Sequence, residues 1–294
     1  MKTIRAKSIL QKVRHNGSQW FGIDYNMNLY RGCTHGCIYC DSRSDCYRIA
    51  NFDDIGVKFD ALAILNRELR SRRSKGVVGI GAMSDTYNHF ERDLKVTQGA
   101  LELVSQHGFG VSVDTKSTLI TRDIDLLQRI ARQHSAIAKL TITTTDDSLA
   151  HKLEPGAPSS TERFSALAEL ADAGIFSGVL FSPLLPFITD TDESIESMVE
   201  AAASSGARFI HTLGGVTMRA GQKEHFLAHL TEVSPELPDR YLREFGDRYL
   251  CNSPRKREAL ALFRTRCEQH GILYRMPDII AAYKKQEPSQ MGLF

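Results

Sequence analysis

Three features are missing from this sequence, and each absence bears on the class of protein. No apolar run approaches the roughly 20 residues that cross a bilayer, so the sequence predicts no membrane span. The first seven residues carry three basic side chains with no apolar core behind them, which argues against a signal peptide. The net charge of +2 is too small to indicate nucleic-acid binding by itself. We therefore expect an ordinary globular protein of the cytoplasm.

Cysteine is also scarce, and its placement is informative. The chain has six cysteines and is too large to need disulfides for stability. Three of them, Cys33, Cys37 and Cys40, lie in a C-x3-C-x2-C spacing, and no second C-x2-C pair follows. A structural zinc site would need His35 or Cys46 as a fourth ligand. The spacing favours an iron–sulfur cluster with one iron left open, because a cubane normally takes one thiolate per iron.

Short β-rich segments alternate with amphipathic helical segments through residues 1–219, and residues 220–294 read as a helical extension that closes the barrel mouth. The predicted strands are 21–29, 77–82, 109–114, 137–143, 176–181 and 207–212. Six strands with helical crossovers predict an α/β fold, a partial (βα)6 barrel of TIM type with an open side. In such barrels the chemistry lies at the carboxyl ends of the strands. The cysteine loop at 33–40, which follows the first strand, is therefore where a catalytic centre is expected.

The cysteine loop resembles that of a known enzyme superfamily. With Tyr39 before Cys40, the pattern C-x3-C-x-aromatic-C resembles the radical S-adenosylmethionine enzymes, and the stretch from Asn28 to Cys33 is similar to their spore photoproduct lyase-related branch. The resemblance covers nearly the whole chain. It implies an enzyme with a [4Fe-4S] cluster on the three clustered cysteines and S-adenosylmethionine on the open iron. In that family an electron, from a donor such as flavodoxin or ferredoxin, cleaves the cofactor to a 5′-deoxyadenosyl radical that takes hydrogen from the substrate.

Residues after the second, third and fourth predicted strands are candidates for holding this cofactor. Ser84 and Asp85 are suited to bind its ammonium group, although a Ser-Asp helix cap explains them equally well. The resemblance places Lys116 toward the cofactor carboxylate or ribose, with a surface lysine as the alternative. Thr141 and Thr143 share one strand face and are candidates for the ribose hydroxyls, although β propensity also accounts for them.

Two further candidates lie on helical or loop positions. Arg163 is at the start of a predicted helix, where a cation is unfavourable for the helix dipole and a carboxylate partner is therefore expected. The resemblance gives that arginine the methionine carboxylate. Tyr39 is expected near the adenine, and plain packing is the alternative.

Two residues depart from the lyase pattern. As the resemblance aligns it, the lyase has a hydrogen-donating cysteine immediately before the Ser-Asp pair, where this chain has Met83, whose thioether has no S–H. The lyase has an aromatic residue where Asp41 follows the third cysteine. We therefore predict a relative of the lyase and not the lyase itself. Cys46 is close enough in sequence to be a substitute donor, with a buried thiol as the alternative.

The C-terminal residues 290–294 resemble the short peptide by which bacterial DNA-processing proteins dock on the sliding clamp. The alternative is that Leu293 and Phe294 pack on their own domain. The substrate is unknown, with DNA as a candidate. An interpretation from a different class is a DNA-associated binding module whose metal centre is purely structural.

Overall fold

The computed structural model describes residues 2–14 and 20–285, and its largest element is an open, mostly parallel sheet. The strands of the described residues are β1 (Lys2–Arg5), β2 (Leu10–Lys12), β3 (Tyr25–Met27), β4 (Tyr30–Arg31), β5 (Gly56–Phe59), β6 (Val77–Ile80), β7 (Gly110–Thr115), β8 (Ala136–Thr141), β9 (Phe176–Phe181), β10 (Phe209–Thr212), β11 (Gly215–Thr217) and β12 (Leu250–Asn252). Seven of them form one sheet in the order β10-β9-β8-β7-β6-β3-β2. Six of these run parallel, and β2 adds an antiparallel edge. The predicted partial barrel of the α/β class is therefore confirmed.

Several of the α-helices cover the outer face of this sheet. Those of the described residues are α1 (Ala61–Ser71), α2 (Glu91–Leu94), α3 (Val96–Gln106), α4 (Ile124–Gln133), α5 (Asp147–Leu153), α6 (Ser160–Asp172), α7 (Asp192–Ser204), α8 (Gln222–Val233), α9 (Leu237–Phe245), α10 (Lys256–Gln269) and α11 (Met276–Tyr283). Apolar residues at helical spacing, such as Leu101, Leu127, Leu167 and Val199, are fully buried against the strands in one core. This packing fixes the strand ends that carry the site.

Side chains cap the first turns of α6 and α7. A capping box begins α6, since Ser159 accepts a hydrogen bond from Glu162 N–H and the Glu162 carboxylate accepts one from Ser159 N–H. For α7 the cap is Thr191 and not its neighbour Asp190. Asp190 instead accepts a hydrogen bond from the Ser253 hydroxyl at 2.5 Å, a partner 63 residues away that no local pattern reveals.

A second apolar cluster fills the amino end of the barrel. Ile279 and Tyr283 of α11 pack there against Phe21 and the first residues of β6 and β10. The first predicted strand begins later than expected, because Trp20–Gly22 forms a 3-10 turn in which Phe21 has a φ of +43°. The Tyr283 hydroxyl donates a hydrogen bond to the Phe21 carbonyl and ties α11 to this turn.

The opposite end of the barrel is framed by smaller elements. β4 pairs with β5 and β5 with β1 in a separate three-stranded sheet, and the cysteine loop leaves directly from β4. Side chains of α8, α9 and the antiparallel β11–β12 pair pack against the loop in a third cluster. No helix within residues 2–14 and 20–285 has the length and apolarity to span a bilayer. Residues 290–294 lie outside the described residues, and the domain division at residue 219 stays a prediction.

Candidate active site

The cysteine loop is folded so that its thiols share one cavity. Gly32 and Gly36 have φ angles of +84° and +66°. A Cβ would lie 2.5 Å from the Phe52 carbonyl oxygen at Gly32 and 3.0 Å from the Pro155 ring at Gly36, so both turns favour glycine. As a result three free thiols line one cavity of about 520 Å³, those of Cys33, Cys37 and Cys40.

The thiols are suited to a cluster of iron and sulfide. Burial raises the pKa of Cys33 to about 11 and that of Cys37 well above its ordinary value. Metal binding reverses this protonation, because the thiolate is the ligand and its proton is released. In the described ranges no group of three or more His, Cys, Asp or Glu side chains is placed to hold a single metal ion. A cubane does not need that convergence, since each thiolate binds a different iron, and the three-thiol donor set fits it.

Asp85 ties the cysteine loop to the ends of two strands. Its carboxylate accepts hydrogen bonds from His35 Nε2 at 2.9 Å, from the Thr115 hydroxyl at 2.7 Å and from the Lys116 backbone N–H at 2.8 Å. Burial opposes ionisation, but His35 and these hydrogen bonds lower the Asp85 pKa to about 2. Burial would lower the pKa of His35, and the Asp85 carboxylate raises it instead. His35 is therefore a link within the protein, although the sequence marked it only as a possible zinc ligand.

The Lys116 side chain lines the cavity and is the clearest candidate for an anionic ligand. Its ammonium lies 5.6 Å above the centre of the Tyr39 ring and forms no hydrogen bond or ion pair with the described residues. Burial would lower its pKa, but the neighbouring Cys37 and Glu154 raise it. A charged ammonium without a protein partner is suited to a carboxylate. Ser84, in contrast, already donates a hydrogen bond to the Gly32 carbonyl.

A buried ion pair lies behind the cavity wall. The side chains of Arg163 and Glu154 are 1% and 0% exposed, and Nη2 lies 2.5 Å from Oε2. Glu154 also accepts hydrogen bonds from the hydroxyls of Tyr39 and Thr143, the second at 3.1 Å. Burial would raise the pKa of Glu154, but the cations Arg163 and Lys116 lower it. Glu154 is therefore the carboxylate partner that the position of Arg163 led us to expect.

Arg163 is held by the backbone as well. Its Nε donates to the Pro158 carbonyl at 2.9 Å and its Nη1 to the Thr141 carbonyl, at the end of β8, at 2.8 Å. The Gln222 amide donates a hydrogen bond to the Tyr39 carbonyl at 3.2 Å from the other side. Tyr39, and with it the adjoining Cys40, is thus fixed between α8 and the Glu154–Arg163 pair.

The mouth of the cavity is a polar and aromatic rim. Asp41 accepts hydrogen bonds from the Thr217 hydroxyl at 2.7 Å and the Tyr47 hydroxyl at 2.9 Å, and its Oδ1 lies 3.3 Å from Arg219 Nε. The Arg219 guanidinium lies 5.1 Å from the centre of the Tyr249 ring. These contacts join the cysteine loop to the C-terminal extension.

Most of the site residues predicted from the sequence line the cavity, and the others lie outside it. Besides the three cysteines, five line the cavity: Tyr39, Ser84, Asp85, Lys116 and Thr141. Thr143 and Arg163 lie behind its wall around Glu154. Cys46 is exposed near the rim, where its Sγ lies 3.2 Å from Arg219 Nη1.

Sequence reasoning missed Glu154, Gln222 and Asp114. Glu154 stands before a Pro-Gly turn, and Gln222 is one polar residue among many in α8. Asp114 reads as the end of a buried strand. Each becomes visible only when elements distant in sequence are brought together.

Comparison with known proteins places the chain in context. A family model described as the radical SAM superfamily matches residues 27–202. An uncharacterised protein of Mycobacterium tuberculosis is 30% identical over 264 residues, which are 87% of this chain and 76% of that protein. A protein of Pseudomonas phage M6 named radical SAM Nalpha-GlyT isomerase is 25% identical over 174 residues, 59% of this chain and 35% of that protein. Spore photoproduct lyase complexed with dinucleoside spore photoproduct shares the fold with a TM-score of 0.69 and 15% identity, covering 93% of this chain and 81% of that chain.

Proposed function

The chain belongs to the radical SAM superfamily and is an enzyme of radical chemistry, and we propose that it works with a [4Fe-4S] cluster held by Cys33, Cys37 and Cys40 and with S-adenosylmethionine. The observation that carries the proposal is the shared cavity, which three free thiols line together with the Lys116 ammonium, a cation with no hydrogen-bond or ion-pair partner among the described residues. Three protein ligands leave one iron of a cubane without a thiolate. That iron is the place for the cofactor.

The cluster and cofactor have a different role in the proposed reaction from that of the protein residues. When bound, cluster and cofactor supply one-electron cleavage of the sulfonium to methionine and a 5′-deoxyadenosyl radical, which takes a hydrogen atom from the substrate. The protein supplies orientation and exclusion of water. We assign the cofactor carboxylate to Lys116, its ammonium to Ser84, its ribose to Thr141 and its adenine side to Tyr39. Asp85 positions this part of the cavity through its hydrogen bonds from His35, Thr115 and the Lys116 backbone. Arg163 and Thr143 hold the wall through Glu154.

Anaerobic reconstitution tests this function directly. We expect about four irons and four sulfides per chain, the composition of one cubane with three protein ligands. Addition of dithionite and S-adenosylmethionine should then yield 5′-deoxyadenosine. Tight binding of zinc with no 5′-deoxyadenosine would favour the DNA-associated binding module with a structural metal centre.

Replacing Lys116 by Met should weaken S-adenosylmethionine binding by about tenfold to a hundredfold, the value of one hydrogen bond to a charged group. The methionine side chain keeps the length and apolar stem of the lysine and removes the ammonium. Equilibrium dialysis of the reconstituted protein with labelled cofactor measures the change. Lys152→Met, on an exposed turn of α5, is the matched control. Unchanged affinity in Lys116→Met would remove the lysine from the cofactor site.

The substrate and the partners are proposals of their own. We propose DNA as the substrate, supported by the dinucleoside in the structural neighbour and by the clamp-like peptide at residues 290–294. An external one-electron donor such as flavodoxin or ferredoxin is proposed to reduce the cluster. The sliding clamp is the proposed partner of the terminal peptide. Met83 lines the cavity at the position discussed above, which supports a reaction other than that of the lyase.

Cys46 is the proposed hydrogen donor that replaces the one missing at Met83. Its thiol is exposed near Arg219, and Arg219 itself lines the cavity. Replacing Cys46 by Ala should leave 5′-deoxyadenosine formation unchanged, because no cofactor-holding residue is touched. The same replacement should lower the incorporation of solvent deuterium into the product when DNA is incubated with the enzyme in D₂O. Mass spectrometry of the product measures the incorporation. Equal incorporation in both proteins would eliminate Cys46 as the donor.

A further inference from the structure

A buried ion pair lies in the strands that carry the cofactor-binding residues. Asp114 of β7 is paired in register with Lys139 of β8, and Lys139 Nζ lies 2.7 Å from Asp114 Oδ1. Lys139 is 1% exposed and also donates a hydrogen bond to the Ser112 hydroxyl. Burial raises the pKa of Asp114, while the Lys139 ammonium and the Trp20 indole favour its ionised form.

Asp114 has more acceptor capacity left than Asp85. An ionised carboxylate offers about four lone-pair positions. In the described residues Lys139 and Trp20 are the partners of Asp114, and its side chain is 15% exposed and lines the cavity. The Asp85 carboxylate, in contrast, accepts four hydrogen-bonding groups of the protein.

The position of Asp114 separates it from the cluster end of the cavity. It precedes Lys116 by two residues on the same strand face, so it lies roughly 6–7 Å deeper in the barrel. The Trp20 indole, a partner of Asp114, and the Leu180 side chain line the same cavity. An aromatic surface beside a single acceptor is suited to a flat ring that donates an N–H.

The size of the cavity limits which ligands can reach Asp114. A cavity of about 520 Å³ falls in the range of a single small-molecule site. A polymer therefore cannot enter, and a nucleic acid would have to present one base turned out of its stack.

We propose that Asp114, held by Lys139, is the specificity-determining residue of the substrate site and accepts the ring N–H of an extruded nucleobase. The proposal rests on DNA being the substrate. A ring N–H occurs on thymine and on guanine, whereas adenine and cytosine in their normal forms have none. The ion pair has a physical reason here, because an unpaired buried carboxylate would take up a proton and lose its acceptor strength.

The test uses the reconstituted protein and single-stranded 12-mers of adenine and cytosine with one central test base. The test bases are thymine, N3-methylthymine, guanine, N1-methylguanine and cytosine, and fluorescence anisotropy gives the affinities. Methylation of the ring nitrogen should weaken binding by about tenfold to a hundredfold, the value of a hydrogen bond to a charged acceptor. If methylation weakens binding of thymine, then thymine is the base that is bound. If it weakens binding of guanine, the base is guanine.

The decisive variant is the double replacement Asp114→Ala with Lys139→Met. Replacing both members of a buried ion pair by apolar residues is often neutral for stability, whereas a single replacement leaves a charge uncompensated. The double variant should bind methylated and unmethylated strands equally. Asp125→Asn, which changes an exposed carboxylate of α4 outside the cavity, should keep the preference of the wild type.

Three outcomes would overturn the proposal. The first is equal binding of methylated and unmethylated bases by the wild type, and the second is an unchanged preference in the double variant. The third is a double variant that loses affinity for S-adenosylmethionine and keeps the base preference. The third outcome would assign Asp114 to the cofactor. Formation of 5′-deoxyadenosine without added DNA tests the proposed function separately, so the two failures are distinguishable.

Discussion

Replacing Arg163 by Met should lower the free energy of unfolding by about 3–5 kcal/mol, the usual cost of removing one member of a buried ion pair. Arg163 Nη2 is 2.5 Å from Glu154 Oε2, and neither side chain is more than 1% exposed. Without the guanidinium, Glu154 keeps its hydrogen bonds from Tyr39 and Thr143 but loses its nearest cation. Urea unfolding of the metal-free protein, followed by circular dichroism and by the fluorescence of Trp20, measures the loss.

The control for this prediction removes both charges. Arg163→Met combined with Glu154→Gln leaves no uncompensated carboxylate and should recover part of the stability, because the amide still accepts the two hydroxyl donors. A single variant as stable as the wild type would show that Glu154 is solvated or protonated at little cost. In that case Arg163 would be free for the cofactor carboxylate, as the family resemblance implies.

For Arg163, the sequence predicted the need for a carboxylate partner but not which carboxylate it is. An unfavourable position at a helix start indicates that Arg163 needs a carboxylate. It does not say which carboxylate, because Glu154 and the methionine group of a cofactor satisfy the same requirement. The turn that brings Glu154 back under the cysteine loop depends on Gly156, where a Cβ would lie 2.1 Å from the Thr34 carbonyl oxygen. That packing is a property of two loops 122 positions apart in the chain.

Local features of the fold were predictable and distant pairings were not. The six parallel strands, the capping box at Ser159 and the cysteine loop each depend on residues within a few positions of one another. The edge strand β2 has only three residues, too few for a two-residue period to be recognised. The links from Asp85 to His35 and from Asp114 to Lys139 join different strands or loops, and a single sequence carries no signal for such pairs.

Cluster loading is the property that should respond most strongly to one substitution. Replacing Cys37 by Ser should reduce the iron content after anaerobic reconstitution from about four per chain to background, since a hydroxyl does not replace a thiolate as an iron ligand. The Cys37 thiol is buried at the centre of the loop, next to the turn at Gly36. Formation of 5′-deoxyadenosine should fall to the level seen without protein, measured by chromatography after dithionite reduction.

Removal of a thiol elsewhere separates this effect from a general loss of cysteine. Cys267→Ala changes a buried thiol in the main core, among residues of α10, and should leave iron binding and cofactor cleavage intact while lowering stability modestly. Full iron content in Cys37→Ser would contradict the assignment, because it would mean that the cluster is held by a different set of ligands. Iron lost equally in both variants would mean that loading follows the stability of the fold and not the identity of the ligand. Since Cys37 also packs against Tyr39 and Val216, circular dichroism of the serine variant must show the native helix content before its iron value is interpreted.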